Sequence, residues 1–172
     1  MKKYLLITFL NLILIVSAIA QNQHDNRDST MRNIQRNSFY IELGGNGVII
    51  SINYERIVPL GTKTGLGFRI GAGTAGSIDT ANTAIAYTGL VEINFLFGKS
   101  KHFLETGIGF TNAFTVNDTE QLCSIRLGYR YQGEKGFLFK IAPMYLYNFE
   151  KLKGNHDVFG GIWLGASFGY SF

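Results

Sequence analysis

Hydrophobic and polar residues alternate along most of the chain between Ser38 and Phe172, and turn-like residues interrupt the alternation at short intervals. Because successive side chains of a β-strand point to opposite faces, each alternating segment predicts a strand with one apolar face. Eight strands can be drawn on this basis. They cover Ser38–Gly45, Val48–Val58, Thr64–Ala75, Thr83–Phe97, His102–Val116, Leu122–Gln132, Gly136–Phe149 and Ile162–Phe172.

The last predicted strand shows the pattern most clearly. Its apolar and aromatic positions alternate with mostly small residues, running Ile162, Leu164, Ala166, Phe168, Tyr170 and Phe172 against Trp163, Gly165, Ser167, Gly169 and Ser171. A strand of about 9–11 residues with this alternation is the repeating unit of a transmembrane β-barrel. Taken by itself, the segment also fits the last strand of a soluble β-sandwich.

Two positions leave the strand count open. Gly45-Asn46-Gly47 is a tight-turn signal between the first two strands, but a glycine bend over Gly44–Gly47 inside one long strand would reduce the count to seven. Pro143 indicates an edge or bulge position in the seventh strand. With eight strands both chain ends lie on one side, and the compact connectors after strands two, four and six are the expected periplasmic turns.

The N-terminal segment has the features of an exported protein. Lys2 and Lys3 precede the apolar stretch Leu5–Val16, and Ala18-Ile19-Ala20 supplies small residues before a cleavage site predicted after Ala20. Residues 21–37 are polar and aperiodic, which predicts a flexible periplasmic lead-in to a barrel over 38–172. No apolar run of 18 residues follows, so a membrane-spanning chain of this kind would have to cross as a closed barrel.

Charge and cysteine content exclude several functions. Of 16 Lys and Arg residues, 14 remain after Lys2 and Lys3 are removed, against 12 Asp and Glu. This near balance, without a basic run, argues against a nucleic-acid partner. Cys123 is the sole cysteine, so neither a disulfide framework nor a thiolate metal site is expected.

Motifs that could carry chemistry are weak. Gly71–Gly76 fits the spacing G-x-G-x-x-G, but no helical period follows to bind a dinucleotide phosphate. His24, His102 and His156 do not have the spacing of metal ligands. No cofactor or metal is therefore predicted. His156 beside Asp157 is a candidate for acid–base chemistry, although no partner serine is marked and a catalytic role is the weaker interpretation.

In the alternation that places Phe and Tyr on the outer face of each strand, charged residues occupy the inner face. The inward set is Glu42, Glu55, Arg69, Glu92, Glu105, Arg126, Arg130 and Lys140. The interior of an eight-stranded barrel is just wide enough for side chains to fill it, and buried charges persist only when they are paired. The four acidic and four basic groups therefore predict a salt-bridge network, whereas ordinary solvated residues of a soluble sheet are the alternative. A glycine-rich lumen could instead leave a gap for solutes.

Four phrases, "YIELGGNGVIISINYER", "FLETGIGF", "RLGYRYQ" and "LGASFGYSF", are similar to the small outer-membrane β-barrel proteins of Gram-negative bacteria. The resemblance is to barrels of the OmpA-transmembrane-domain or OmpW type that are common in the Bacteroidota. It implies an all-β fold, a closed antiparallel up-and-down transmembrane β-barrel in the cell outer membrane. It also implies that Phe168, Tyr170 and Phe172 form the C-terminal signal for the barrel-insertion machinery.

The same resemblance implies periplasmic chaperones, outer-membrane lipid and lipopolysaccharide as partners. A non-enzymatic structural, envelope or surface-binding role is expected, with the outward loops over 76–82, 117–121 and 150–157 as its surface. A narrow porin-like conduit for small solutes is the alternative, and a lipid-modifying barrel enzyme is the weaker one.

Overall fold

The computed structural model describes residues 31, 34–76, 85–114, 119–149 and 160–172. The predicted signal peptide, most of the lead-in and the loop segment around His156 lie outside the described residues. Eight antiparallel strands follow one another around a closed barrel in chain order, and the first strand pairs with the last. The predicted eight-stranded all-β barrel is therefore confirmed.

The strand bounds are close to those predicted from the alternation. They are β1 Asn37–Gly44, β2 Ile50–Pro59, β3 Thr64–Gly76, β4 Ile85–Lys99, β5 His102–Phe114, β6 Thr119–Gln132, β7 Phe137–Asn148 and β8 Gly161–Ser171. A short 3₁₀ turn over Gly45–Gly47 separates β1 from β2, which pair antiparallel from Leu43↔Ile50 to Asn37↔Arg56. Gly44–Gly47 is thus a hairpin connection, and the seven-strand alternative is wrong.

Pro143 does not lie at an edge or a bulge, and that expectation is corrected. A closed barrel has no edge, and Pro143 pairs with Leu164 of β8. On its other side the β6–β7 register is the same at Arg126↔Met144 and at Tyr129↔Ile141, so no residue is inserted between them. The pairing is interrupted only between these two positions, because proline has no N–H to donate to the neighbouring strand.

The two ends of the barrel differ. At one end, here called the turn end, the compact connectors 60–63, 100–101 and 133–136 lie beside the start of β1 and the chain terminus. At the opposite end, the loop end, the connector 45–49 joins β1 to β2, and the strand ends that flank residues 77–84, 115–118 and 150–159 lie there as well. The compact turns after strands two, four and six therefore lie together, as the alternation predicted.

An apolar belt covers the outside of the barrel. Every strand contributes large hydrophobic side chains that are exposed, among them Ile41, Ile52, Ile70, Val91, Ile108, Ile125, Tyr145 and Leu164. A continuous apolar surface of this extent marks a face that is covered by lipid or by another apolar partner. Among the described residues, no helix is long and apolar enough to cross a membrane.

The described part of the lead-in packs under the turn end. Met31 is fully buried against Ile57, Leu96 and Phe103, and Ile34 packs on the same cluster. The backbone N–H of Met31 donates to a carbonyl of the β2–β3 connector at 3.3 Å. This apolar group, the base cluster, closes the barrel interior at its turn end.

Candidate functional site: the filled barrel interior

All eight charged residues predicted to point inward lie in the interior, and none is more than 3% exposed. Their strands place them there because each occupies the inward phase of the alternation. The structure brings them together in two clusters, one nearer each end of the barrel. The loop-end cluster consists of Glu42, Arg69, Glu92 and Arg126, and the turn-end cluster of Glu55, Glu105, Arg130 and Lys140.

In the loop-end cluster each arginine bridges both glutamates. Arg126 donates to Glu42 Oε1 at 2.6 Å and to Glu92 Oε1 at 3.0 Å. Arg69 donates to both oxygens of Glu42 and reaches Glu92 Oε1 at 3.5 Å. Hydrogen bonds between ionised groups are about twice as strong as neutral ones, so the mutual pairing compensates much of the cost of burying the four charges.

The turn-end cluster repeats this arrangement with a lysine in place of one arginine. Arg130 Nη1 lies 2.6 Å from Glu55 Oε2 and 3.3 Å from Glu105 Oε2. Lys140 Nζ lies 3.3 Å from Glu55 Oε2 and 2.6 Å from Glu105 Oε1. A longer contact of 3.8 Å between Arg126 Nη1 and Glu105 Oε1 joins the two clusters, so the eight charges form one network.

Neutral polar groups extend the network. Asn53 Oδ1 accepts hydrogen bonds from Arg69 Nε at 3.0 Å and Nη2 at 2.9 Å. Gln132 Oε1 accepts from Arg130 Nε at 3.2 Å and Nη2 at 3.0 Å. Sequence reasoning missed these side chains as members of the site, although the inward phase of the alternation contains both. Each guanidinium group has five N–H donors, which is more than a single glutamate carboxylate can accept. A search of the inward positions for further acceptors could therefore have found Asn53 and Gln132.

Tyr40 lies between the two clusters. Arg69 is 5.4 Å and Lys140 4.8 Å from the centre of its ring, and Lys140 Nζ also donates to its hydroxyl at 3.3 Å. Cations over a desolvated aromatic face are attracted by its quadrupole. Tyr40 therefore fills the space between charged groups without leaving either cation against an apolar surface.

The connection between β1 and β2 folds into the barrel and covers the loop-end cluster. Asn46 is fully buried, and its side-chain amide donates to Glu92 Oε2. Its backbone carbonyl accepts from Thr111 Oγ1 at 3.1 Å, and the carbonyl of Val48 accepts from Trp163 Nε1 at 3.2 Å. The sequence predicted an ordinary turn here, and the Gly-Asn-Gly triplet gave no indication of the direction in which it folds.

This inward loop has an unusual backbone. Gly44 and Gly45 both have φ near +71°, and Val48 has φ 73° and ψ −66°. The Val48 angles, with a hydrogen bond of 3.1 Å from Ile49 N to Gly47 O, define a γ-turn of the strained kind. A β-branched residue with positive φ costs about 1–3 kcal/mol and persists only when its surroundings hold it. The contacts to β4, β5 and β8 supply that constraint.

The remaining predicted sites are distributed differently. Phe168, Tyr170 and Phe172 are half-exposed on the outer surface, and Phe172 stacks on Phe39 with ring centres 5.9 Å apart. The glycines of the G-x-G-x-x-G spacing belong to β3 and precede no helix among the described residues. Within the described ranges no three His, Cys, Asp or Glu residues are grouped so that they could hold a metal ion.

These features define a closed eight-stranded β-barrel with an apolar exterior and an interior filled by its own side chains. No family model matches the chain, and no curated protein matches it. Its structure is similar to the crystal structure of the N-terminal β-barrel domain of Pseudomonas aeruginosa OprF. The sequence identity is 14%, the TM-score is 0.49, and the match covers 80% of this chain and 96% of that one.

Proposed function

We propose that the protein is a β-barrel of the bacterial outer membrane with a structural, envelope or surface-binding role and a closed interior. The proposal rests on one combined observation: apolar side chains are exposed on all eight strands, while the interior charges are buried and paired. Lipid leaves no water to satisfy backbone groups, and a closed barrel satisfies all of them between strands. A barrel in a membrane has an apolar outer surface in contact with lipid and a polar interior, and this barrel has both features.

A conducting role is the weaker alternative because the interior is blocked at several levels. The inward loop, the loop-end cluster, the turn-end cluster and the base cluster follow one another from the loop end to the turn end. Barrels of about eight strands have an interior just wide enough to be filled by side chains. A solute path would require several charged pairs to separate together.

In this proposal the turn end faces the periplasm, as in barrels with short periplasmic turns and longer outer loops. Phe168, Tyr170 and Phe172 form the C-terminal signal for the barrel-insertion machinery, and periplasmic chaperones hold the chain before insertion. The belt contacts outer-membrane lipid and lipopolysaccharide. The predicted outward loops over 76–82, 117–121 and 150–157, of which residues 77–82, 117–118 and 150–157 lie outside the described residues, form the surface-binding region.

Gel mobility and bilayer conductance test the proposal together. The refolded protein should migrate differently before and after boiling, and in planar bilayers it should show no discrete openings. The triple variant Glu42→Ala, Arg69→Ala and Arg126→Ala removes most of the loop-end cluster but leaves the turn-end cluster and the base cluster in place, so it too should show no discrete openings if it still shows the heat shift. Discrete openings of the unmodified protein would establish the conduit alternative. Solubility in buffer without a heat shift would overturn the membrane assignment.

The proposal includes no catalytic step. An enzyme acting on lipid would use His156, which lies outside the described residues, and would change the lipid composition of the cell envelope. Lipid profiles of cells carrying the unmodified protein and His156→Ala should therefore be identical. A difference between the two profiles would replace the structural role by the lipid-modifying one.

A further inference from the structure

The turn end carries an excess of positive charge. Among the described residues it presents six basic side chains, Arg36, Arg56, Lys63, Lys99, Lys101 and Lys135, and one acidic side chain, Glu134. Five of the six basic residues are exposed and Lys101 is half-exposed. The ion pair found among these described residues is Lys101 Nζ to Glu134 Oε1 at 2.9 Å. These six residues, the basic rim, therefore leave five positive charges without an acidic partner in the described part of the chain.

The basic rim follows the mouth of the barrel instead of lying on one strand. The backbone carbonyl of Lys63, in the β2–β3 connector, accepts from Gly98 N at the end of β4 at 2.9 Å. The carbonyl of Lys101, in the β4–β5 turn, accepts from Gln132 N at the end of β6 at 2.8 Å. The connectors that carry Lys63 and Lys101 are thus each bonded to a neighbouring strand end, and both lie at the turn end of the barrel.

Aromatic side chains with polar tips lie between the basic rim and the apolar belt. Tyr54 donates its hydroxyl hydrogen to Asn37 Oδ1 at 2.9 Å, and the hydroxyl of Tyr129 lies 2.6 Å from His102 Nδ1. Tyr side chains prefer the boundary between acyl chains and headgroups because one end is apolar and the other polar. Along the barrel axis, the apolar belt, the tyrosines and the basic rim therefore follow one another in the order in which acyl chains, the interface and the phosphates follow one another in one leaflet.

We infer that the basic rim binds the headgroups of anionic phospholipids, of the phosphatidylglycerol class, in the leaflet that borders the turn end. The inference rests on the proposed membrane location. Its support is charge complementarity confined to one end of the molecule. By sequence, the segments that join strands at the loop end contain Asp79, Asp118, Glu150 and Asp157 against Lys151 and Lys153. Each Lys or Arg near an anionic surface contributes about fivefold in affinity.

Lipid titration of the refolded full-length mature protein tests this inference. Phosphatidylglycerol or phosphatidylcholine with identical acyl chains is added to the protein in a non-ionic detergent, and bound lipid is counted by native mass spectrometry. Phosphatidylglycerol should bind at least about tenfold more tightly, because phosphatidylcholine has the same phosphate but no net charge. The variant Lys63→Gln with Lys135→Gln should lose about tenfold or more of that preference.

The double variant Lys151→Gln with Lys153→Gln is the matched control, since it removes the same charge from the loop end. Its preference for phosphatidylglycerol should remain within about twofold of the unmodified protein. Equal losses in both variants would assign the effect to net charge and overturn the inference. Absence of any preference would overturn it as well, and so would displacement of the lipid by an equal concentration of inorganic phosphate.

The heat shift of every preparation separates the two proposals. If the shift is intact but the protein shows no lipid preference, the basic rim is not a lipid site, and the proposed membrane location is unaffected. A missing shift in the unmodified protein removes the membrane location and, with it, the inference that depends on it.

Discussion

Replacement of Glu42 by glutamine tests whether the interior network stabilises the barrel. The Glu42 carboxylate is fully buried and accepts hydrogen bonds from Arg69, from Arg126 and, at 3.4 Å, from Ser167. Glutamine keeps the shape but leaves four buried cations with three anions. Removal of one partner of a buried ion pair costs about 3–5 kcal/mol. Both arginines retain Glu92 as a partner, so a loss near the lower bound, about 3 kcal/mol, is expected for Glu42→Gln.

The free energy of unfolding can be measured by urea titration of the barrel refolded in phosphatidylcholine vesicles, with the unboiled gel band as the folded fraction. The double variant Glu42→Gln with Arg69→Met restores the balance of charge. It should therefore cost less than the sum of the two single changes, by about 1–3 kcal/mol. A loss below about 1 kcal/mol for Glu42→Gln, or strict additivity, would refute the reasoning.

An exposed ion pair supplies the control for that experiment. Lys101 and Glu134 are 2.9 Å apart, but their side chains are 37% and 81% exposed. Water and salt screen such a pair, so Glu134→Gln should leave the urea midpoint unchanged within error. A shift as large as that of Glu42→Gln would mean that burial is not the reason for the effect.

Three further changes have definite expected outcomes. Gly107→Ala places a Cβ 1.9 Å from Asn94 Oδ1 and should destabilise the barrel by about 1–3 kcal/mol. Gly89→Ala is its control, because the nearest atom to the added Cβ is 3.8 Å away, and it should leave the stability unchanged. The urea midpoints of the two variants check both expectations. Phe103→Ala removes a fully buried ring of the base cluster and should cost about 3–5 kcal/mol in the same titration. Phe172→Ala should lower the yield of assembled barrel in cells while vesicle refolding stays nearly unchanged, and equal yields would remove its role as a signal.

The alternation of side chains made the architecture predictable. A period of two fixes which residues share a face, and a shift by one residue would have exchanged the apolar and charged faces of every strand. Residues such as Ile52 and Glu55 therefore belonged to opposite faces before any pairing was known, and the structure exposes the first and buries the second. The turn-like residues between the alternating segments supplied the strand count, although the strands range from 8 to 15 residues in length.

The partners within the interior could not be predicted in the same way. Arg126 and Glu42 are separated by 84 positions and lie on strands that are not neighbours. Their contact depends on how side chains from opposite walls meet across the barrel. The alternation along each strand shows only that both side chains point inward and does not specify which of them meet. The inward direction of Asn46 was hidden for a related reason, since its partners Glu92 and Thr111 belong to distant strands.

The glycine-rich interior is better explained by the network than by a pore. A Cβ built at Gly71 would lie 2.1 Å from Asn53 Oδ1, and one at Gly67 would lie 2.6 Å from Glu55 Oε1. At Gly109 it would lie 2.5 Å from the side-chain nitrogen of Asn46. The volume that each glycine leaves free is therefore already occupied by a polar side chain of a neighbouring strand or of the inward loop. A larger residue would displace network groups without narrowing an open channel, so glycine content in such a barrel indicates tight polar packing.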